Sequence, residues 1–138
     1  MDAWSRLVPH PRYGLRMTIE HVVTVHGTPV MVCAPDGIPL DTEGAAADVI
    51  GEALGQKVEF VVIPAERLTD DFFELRTGVA GEIAQKFVNY RIQLAVVGDI
   101  DARTRDSRSL DAWVSETNSG AQLWFVPTFE DFTQRLQA

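Results

Sequence analysis

The polar residues that could do chemistry follow two short apolar runs, VEFVVI at 58–63 and IQLAVV at 92–97. Ligands of open α/β sheets bind beyond the carboxyl ends of the strands. If both runs are parallel strands, the stretches that follow them meet at one edge of the sheet. This candidate ligand or partner surface comprises Glu66, Thr69, Asp70, Asp71, Asp99, Arg103, Arg105 and Arg108, with Arg67 and Asp101 in the same loops.

The arginines of the second stretch are suited to anion binding. Arg103, Arg105 and Arg108 carry forked donors that match phosphate oxygens. The chain contains neither GxGxxG nor GxxxxGK[ST], the glycine-rich patterns that cradle nucleotide phosphates. We therefore predict no cofactor, and phosphate binding stays an alternative to a solvated polar loop.

The acidic residues among those arginines could in principle ligate a cation. Asp99, Asp101 and Asp106 supply oxygen atoms, but the other positions of a calcium loop are missing. The interleaved arginines would also compete for the carboxylates. The pattern favours a loop of exposed ion pairs and no metal site.

No nucleophile and base stand in a recognisable arrangement. His21 and His26 are five positions apart, so an unbroken strand would point them to opposite faces. Cys33 lies in the apolar run 29–34, where a buried structural thiol is expected. We predict no catalytic residue, and whether the protein is an enzyme is left open, with the balance towards a non-enzyme.

The elements that must position these residues follow from hydrophobic periodicity. A β-hairpin is predicted over 19–34, turning at Gly27, and the remaining runs alternate between helix and strand in the order β-β-α-β-α-β-α-β-α. Successive β-α-β units require a largely parallel sheet, which the hairpin makes mixed. Helix caps are predicted at Asp41 or Thr42, at Thr69, at Ser107 or Ser109, and at Thr128.

The clearest helical pattern covers 69–87. Thr69 is placed to cap it, and Asp70 and Asp71 fill the first turn, where the helix dipole favours negative charge. Gly78 and Gly81 each cost about 1 kcal/mol inside a helix relative to alanine. We predict that close packing of this helix on the sheet compensates for them.

Composition sets the class of protein. The chain has 138 residues, 46% of them hydrophobic, a net charge of −8 and one cysteine. The length predicts one domain over 17–138, preceded by a loosely ordered extension at 1–16. The net charge argues against nucleic acid and anionic membranes as partners, and a single cysteine fits the reducing cytoplasm.

The segments 68–99 and 107–126 closely resemble a bacterial family known as domain of unknown function 4180. The block FFELRTGVAGEIAQKF at 72–87 is the most specific part of the likeness, which covers the chain from about residue 17 to its end. This resemblance implies no activity, because none is assigned to the family.

A weaker resemblance is to the STAS domains, which share the order of a hairpin followed by alternating helices and strands. Those domains carry a phosphorylatable serine in an Asp-Ser-Ser-Gly pattern at the start of a helix. The corresponding place here reads Thr69, Asp70, Asp71 and Phe72, so the pattern is not matched. Phosphorylation of Thr69 and a permanent negative charge from the two aspartates are alternative hypotheses.

The expected function is a non-enzymatic, STAS-like regulatory module that binds a protein partner through the 69–87 helix and its adjoining loops. One alternative is a small-molecule or phosphate-binding domain, or an enzyme, with its site at the strand ends. Another is a homodimer formed through an apolar helix face.

Overall fold

The computed structural model describes the backbone of residues 8–10, 14–16 and 21–137. Two short strands near the amino terminus, β1 (Val8–His10) and β2 (Gly14–Arg16), pair with each other antiparallel and apart from the main sheet. The rest of the predicted extension 1–16 lies outside the described residues, so its loose order stays a prediction. The main sheet consists of β3 (His21–Val25), β4 (Thr28–Val32), β5 (Phe60–Pro64), β6 (Gln93–Val97) and β7 (Leu123–Val126).

The five strands lie side by side in their order along the chain. β3 and β4 are antiparallel, and each later strand is parallel to its predecessor. The predicted hairpin is confirmed: His26 (φ 49°) and Gly27 (φ 82°) form a two-residue turn, which needs positive φ at both positions. The predicted α/β class, with one mixed and largely parallel sheet, is confirmed.

Six helices connect or follow these strands in the described part of the chain. Three predicted caps are confirmed: Thr42 Oγ1 accepts from Ala45 N at 3.0 Å, Ser107 Oγ accepts from Leu110 N at 3.2 Å, and Thr128 Oγ1 accepts from Asp131 N at 3.0 Å. The helices are α1 (Glu43–Gly55), α2 (Asp70–Phe73), α3 (Val79–Asn89), α4 (Asp101–Arg105), α5 (Arg108–Asn118) and α6 (Phe129–Gln137).

The two faces of the sheet are covered by different helices. Right-handed crossovers between strands that are neighbours in sequence place every connecting helix on the same face. Accordingly Ile50 of α1, Ile83 of α3 and Leu110 of α5 share one buried cluster. Phe132 of α6 belongs to the cluster on the other face, where its ring lies 5.2 Å from that of Phe60.

The single helix predicted over 69–87 is wrong, because the chain breaks it into α2, a 3-10 turn (Leu75–Thr77) and α3. Glu74 leaves the helical region with ψ 95°, and Gly78 is left-handed with φ 80°. Thr77 Oγ1 lies 2.7 Å from Asp71 O and 2.8 Å from Glu74 O, and accepts from Val79 N at 3.2 Å. This hydroxyl therefore fastens α2 to the start of α3.

Close packing on the sheet does not explain the two glycines of this region. A Cβ at Gly78 or at Gly81 would meet nothing within 4 Å. Gly78 is instead required by its positive φ, which a residue with a side chain rarely adopts. Gly81 lies in the regular part of α3 and has no such requirement.

Replacing Gly81 by alanine is expected to raise the free energy of unfolding by about 0.5–1 kcal/mol, because alanine restricts the unfolded chain and fits the helix without a clash. Urea denaturation measures the change. Gly78→Ala is the matched control and is expected to lower stability, since the positive φ at that position strains any side chain. An equal effect of the two substitutions would contradict the explanation.

Candidate functional site

The segments that carry most of the predicted site residues begin at one edge of the sheet. β5 ends at Pro64 and β6 at Val97, and these two residues are register partners in the parallel pair. The segments that follow therefore start side by side and lead into α2 and α4. Within the described part of the chain, only one of the predicted residue pairs forms an ion pair.

That pair joins α2 to α4. Arg103 Nη1 donates to Asp70 Oδ1 at 2.9 Å, and the guanidinium carbon of Arg103 lies 4.4 Å from the centre of the Phe73 ring. The side chain of Asp70 is 92% exposed and that of Arg103 is 41% exposed. Exposed ion pairs contribute little stability, so this contact orients two charged groups on an open surface more than it holds the fold together.

Phe73 was not among the sequence-predicted site residues. Its ring is buried beneath Arg103 and packs edge-to-face against Phe72, 5.4 Å away. The sequence held one signal of such stacking. Phe73 follows the acidic start of the helix by three positions, and an arginine elsewhere in the chain could stack on its ring. We define the α2–α4 surface as Asp70, Asp71, Glu74 and Arg103, with the buried ring of Phe73 supporting Arg103 from beneath.

Thr69 occupies the predicted N-cap position of α2, but its side chain makes no capping hydrogen bond. The prediction that its hydroxyl caps the helix is therefore wrong. Thr69 Oγ1 is buried and has no hydrogen-bond partner among the described residues. A modifying enzyme would have to displace the start of α2 to reach this oxygen.

The segment after β6 begins with a local turn, in which its polar side chains bind the backbone of the same segment. Asp99 Oδ1 accepts from Asp101 N at 2.9 Å, which satisfies a backbone donor at the start of α4. Arg105 Nε donates to Asp101 O at 3.3 Å, one helical turn away. Within the described segments, no group of three His, Cys, Asp or Glu side chains is placed to hold a metal ion.

Three predicted site residues, Glu66, Asp71 and Arg108, are exposed. None of their side chains takes part in a hydrogen bond or ion pair with the described residues. They stay available to a partner in solution.

A cleft of about 430 Å³ lies between the ends of β6 and β7. Its polar lining includes Asp99, Asp101, Thr104 and Asp111, and none of the three predicted arginines contributes to it. Arg103 instead lines a neighbouring depression with Asp70 and Phe73. The cleft therefore offers carboxylates and hydroxyl groups to a ligand, which suits a sugar-like molecule better than a phosphate.

The edge that carries these residues is held by a buried arginine. Arg67 is 4% exposed, and it donates through Nε to Ile38 O at 2.7 Å and through Nη1 to Ala34 O at 2.9 Å. A Cβ on Gly37 would come within 2.5 Å of the guanidinium carbon. The loop after β4 thus closes over Arg67, so the sequence-based placement of Arg67 on the open surface is wrong.

These features define an α/β domain with a mixed five-stranded sheet, helices on both faces and an open, charged surface at the carboxyl ends of its strands. The chain belongs to the family described as a domain of unknown function, DUF4180, whose model matches residues 25–136. This match confirms the predicted family. No curated protein and no solved structure matches the chain.

The likeness to STAS domains stays a prediction, since the comparisons do not bear on it. Among the described residues, no helix has both the length and the apolar character needed to cross a membrane.

Proposed function

We propose that this domain is a non-enzymatic regulatory module that binds a protein partner through the α2–α4 surface. The observation that carries the proposal is the contact of Arg103 with both Asp70 and Phe73. It joins two separate elements into one continuous exposed patch. Arginine is enriched in protein interfaces, where its flat guanidinium group often supplies a large part of the binding energy.

The charge of the surface indicates the kind of partner. Asp70, Asp71 and Glu74 contribute three carboxylates, of which Asp70 pairs with Arg103 and Glu74 with Arg76, so that the charge of Asp71 is left in excess. A partner rich in Lys or Arg would complement this excess of negative charge. Such complementarity speeds association and disfavours partners of the wrong charge.

The scaffold beneath the surface supports rigid presentation. Phe72 and Phe73 anchor α2 in the core, and Thr77 fastens the turn that follows it. A surface held by packed elements loses little conformational entropy when it binds. The proposal places the protein in the cytoplasm, whose reducing conditions suit a chain with a single, buried cysteine, Cys33.

A photo-crosslinking residue introduced at Asp71 in the native host is expected to capture one protein of defined mass. The same residue at Gln134, which is exposed on α6 across the sheet, is the control and should not capture it. With the captured protein purified, Asp71→Lys is expected to raise the dissociation constant at least tenfold, about 1.4 kcal/mol. Glu130→Lys, an equal charge change on α6, should leave it unchanged.

Capture from both positions alike, or equal effects of Asp71→Lys and Glu130→Lys, would remove the α2–α4 surface from the proposal.

The second candidate is a small-molecule site in the cleft beside Asp99. Its position at the carboxyl ends of two parallel strands favours this reading. Specific binding stabilises the folded state as ligand concentration rises. A thermal-shift screen with cations, sugars and phosphates discriminates the two candidates: a shift abolished by Asp111→Asn would support the cleft.

A further inference from the structure

The two edges of the main sheet differ in a way that bears on self-association. β3 and β7 are the edge strands. An edge strand presents backbone N–H and C=O groups that can pair with a strand of another molecule, and proteins commonly protect such edges.

The β7 edge is protected by a side chain. Gly98 N donates to Val126 O, so the backbone groups of Val126 point towards β6. Those of its neighbour Phe125 therefore point outward, away from the sheet. Asn118 Oδ1 accepts from Phe125 N at 2.7 Å, and Asn118 Nδ2 donates to Phe125 O at 3.2 Å. One amide therefore takes the place of a neighbouring strand and satisfies both backbone groups.

The β3 edge has no such protection among the described residues. Cys33 N donates to Val62 O at 2.9 Å, so the backbone groups of Cys33 point towards β5. Backbone groups alternate in direction along a strand, so those of Val30, three positions earlier, point towards β3. Val30 is the register partner of Val23, which places the backbone groups of Val22 and Thr24 on the outer side.

The two residues that carry those outward groups are themselves exposed. Val22 is 39% exposed and Thr24 is also exposed. No hydrogen bond of either residue to a group outside the strand pair occurs in the described part of the chain. His21–Val25 contains no lysine, glutamate, aspartate or proline, the residues that usually protect an edge.

We propose that β3 pairs antiparallel with β3 of a second copy of this chain about a two-fold axis at Val23. Val22 then lies opposite Thr24 of the partner subunit, and Thr24 opposite Val22 of the partner subunit. In each such pair the two residues exchange both of their backbone hydrogen bonds. The two five-stranded sheets become one continuous sheet.

The second copy is favoured over a foreign strand because the edge is complementary to itself. The same two outward residues satisfy each other under a two-fold axis, as an isologous interface requires. Although the chain carries a net charge of −8, His21–Val25 contains no acidic residue, so pairing two copies of this strand brings no two carboxylates together. The β-branched side chains of this strand also form favourable cross-strand pairs.

Strand pairing alone buries less surface than the roughly 1,000 Å² typical of a stable interface. The dimer is therefore expected to be weak, with a dissociation constant on the order of 100 µM.

Sedimentation of the full chain between about 10 µM and 1 mM tests the dimer, and hydrogen exchange at the Val22 and Thr24 amides tests its location. We expect the average mass and the protection of those amides to rise together with protein concentration.

Thr24→Pro removes an outward N–H group and leaves every hydrogen bond to β4 in place, so this variant should be a folded monomer. Thr24→Val keeps every backbone group and should dimerise like the parent, whereas Val22→Lys should weaken dimerisation at least tenfold.

A monomer at about 1 mM would overturn the proposal. So would a dimer that persists in folded Thr24→Pro protein, which would indicate an apolar helix face as the contact. Exchange at Val22 and Thr24 that does not depend on concentration would overturn it as well. None of these outcomes bears on the α2–α4 surface, which lies at the carboxyl ends of the parallel strands.

Discussion

Replacing Arg67 by methionine is expected to lower the free energy of unfolding by about 3 kcal/mol, and denaturant titration measures the loss. Methionine fills similar space but donates nothing. Ala34 O would lose a charge-assisted hydrogen bond in a buried site, and Ile38 O would lose one in a partly buried site. Leaving a buried acceptor without its donor costs about 1–3 kcal/mol, so Ala34 O accounts for most of the expected loss.

The control for this substitution is Arg76→Met. The side chain of Arg76 is 86% exposed and forms a surface ion pair with Glu74 at 3.4 Å. Such a pair contributes about 0–1 kcal/mol, so its loss should barely alter the denaturation midpoint. If the two substitutions destabilised the protein equally, Arg67 would not be the clamp of the loop after β4.

A second large effect is expected at Gly98, where alanine should lower the free energy of unfolding by about 2–3 kcal/mol. Its Cβ would lie 2.7 Å from the Cβ of Ala65, and φ at Gly98 is +151°. The carboxyl end of β6 would have to move away from the turn after β5. Because Gly98 leads into α4, the same movement would displace Arg103 from Asp70.

A double-mutant cycle separates the clash from the backbone strain. Ala65→Gly removes the opposing methyl group, so in the Gly98→Ala background it should recover about 0.5–2 kcal/mol beyond its own effect. The strain of the positive φ would remain. Additive effects of the two substitutions, measured by the same denaturation, would show that the contact with Ala65 is not what excludes a side chain from position 98.

The Arg67 hydrogen bonds and the close contact of Gly98 with Ala65 have the same consequence for function. Arg67 fixes the loop after β4, and the close approach of Gly98 to Ala65 fixes the start of α4 against the turn after β5. Arg67 lies three residues before the start of α2, and Gly98 lies three residues before the start of α4. We therefore expect substitutions at either position to weaken partner binding along with stability, whereas Gly81→Ala should raise stability alone.

Sequence reasoning succeeded where a feature depends on neighbouring residues. The hairpin turn at His26–Gly27 and the caps at Thr42, Ser107 and Thr128 need only local backbone and side-chain chemistry. The alternation of buried strands with amphipathic helices was enough to predict one mixed, largely parallel sheet. The block at 72–87 was enough to predict the family.

Sequence reasoning failed where a feature depends on contacts that periodicity does not reveal, often between residues far apart in the chain. The helical periodicity of 69–87 continues through Glu74 and Gly78, so it hid the break that the Thr77 hydroxyl stabilises. Arg67 looked like another charged loop residue, although the carbonyl groups that bury it lie 29 and 33 positions earlier.

By itself, then, the sequence determined the class of fold, the order of its elements, the family and the general location of the charged surface. Each of these follows from periodicity, turn chemistry or charge within a short window. The tertiary structure alone decided the order of the strands, the face that each helix covers, which arginine is buried, and that Arg103 pairs with Asp70. These depend on which distant segments meet, and that is settled by packing the whole core and by satisfying its buried backbone groups.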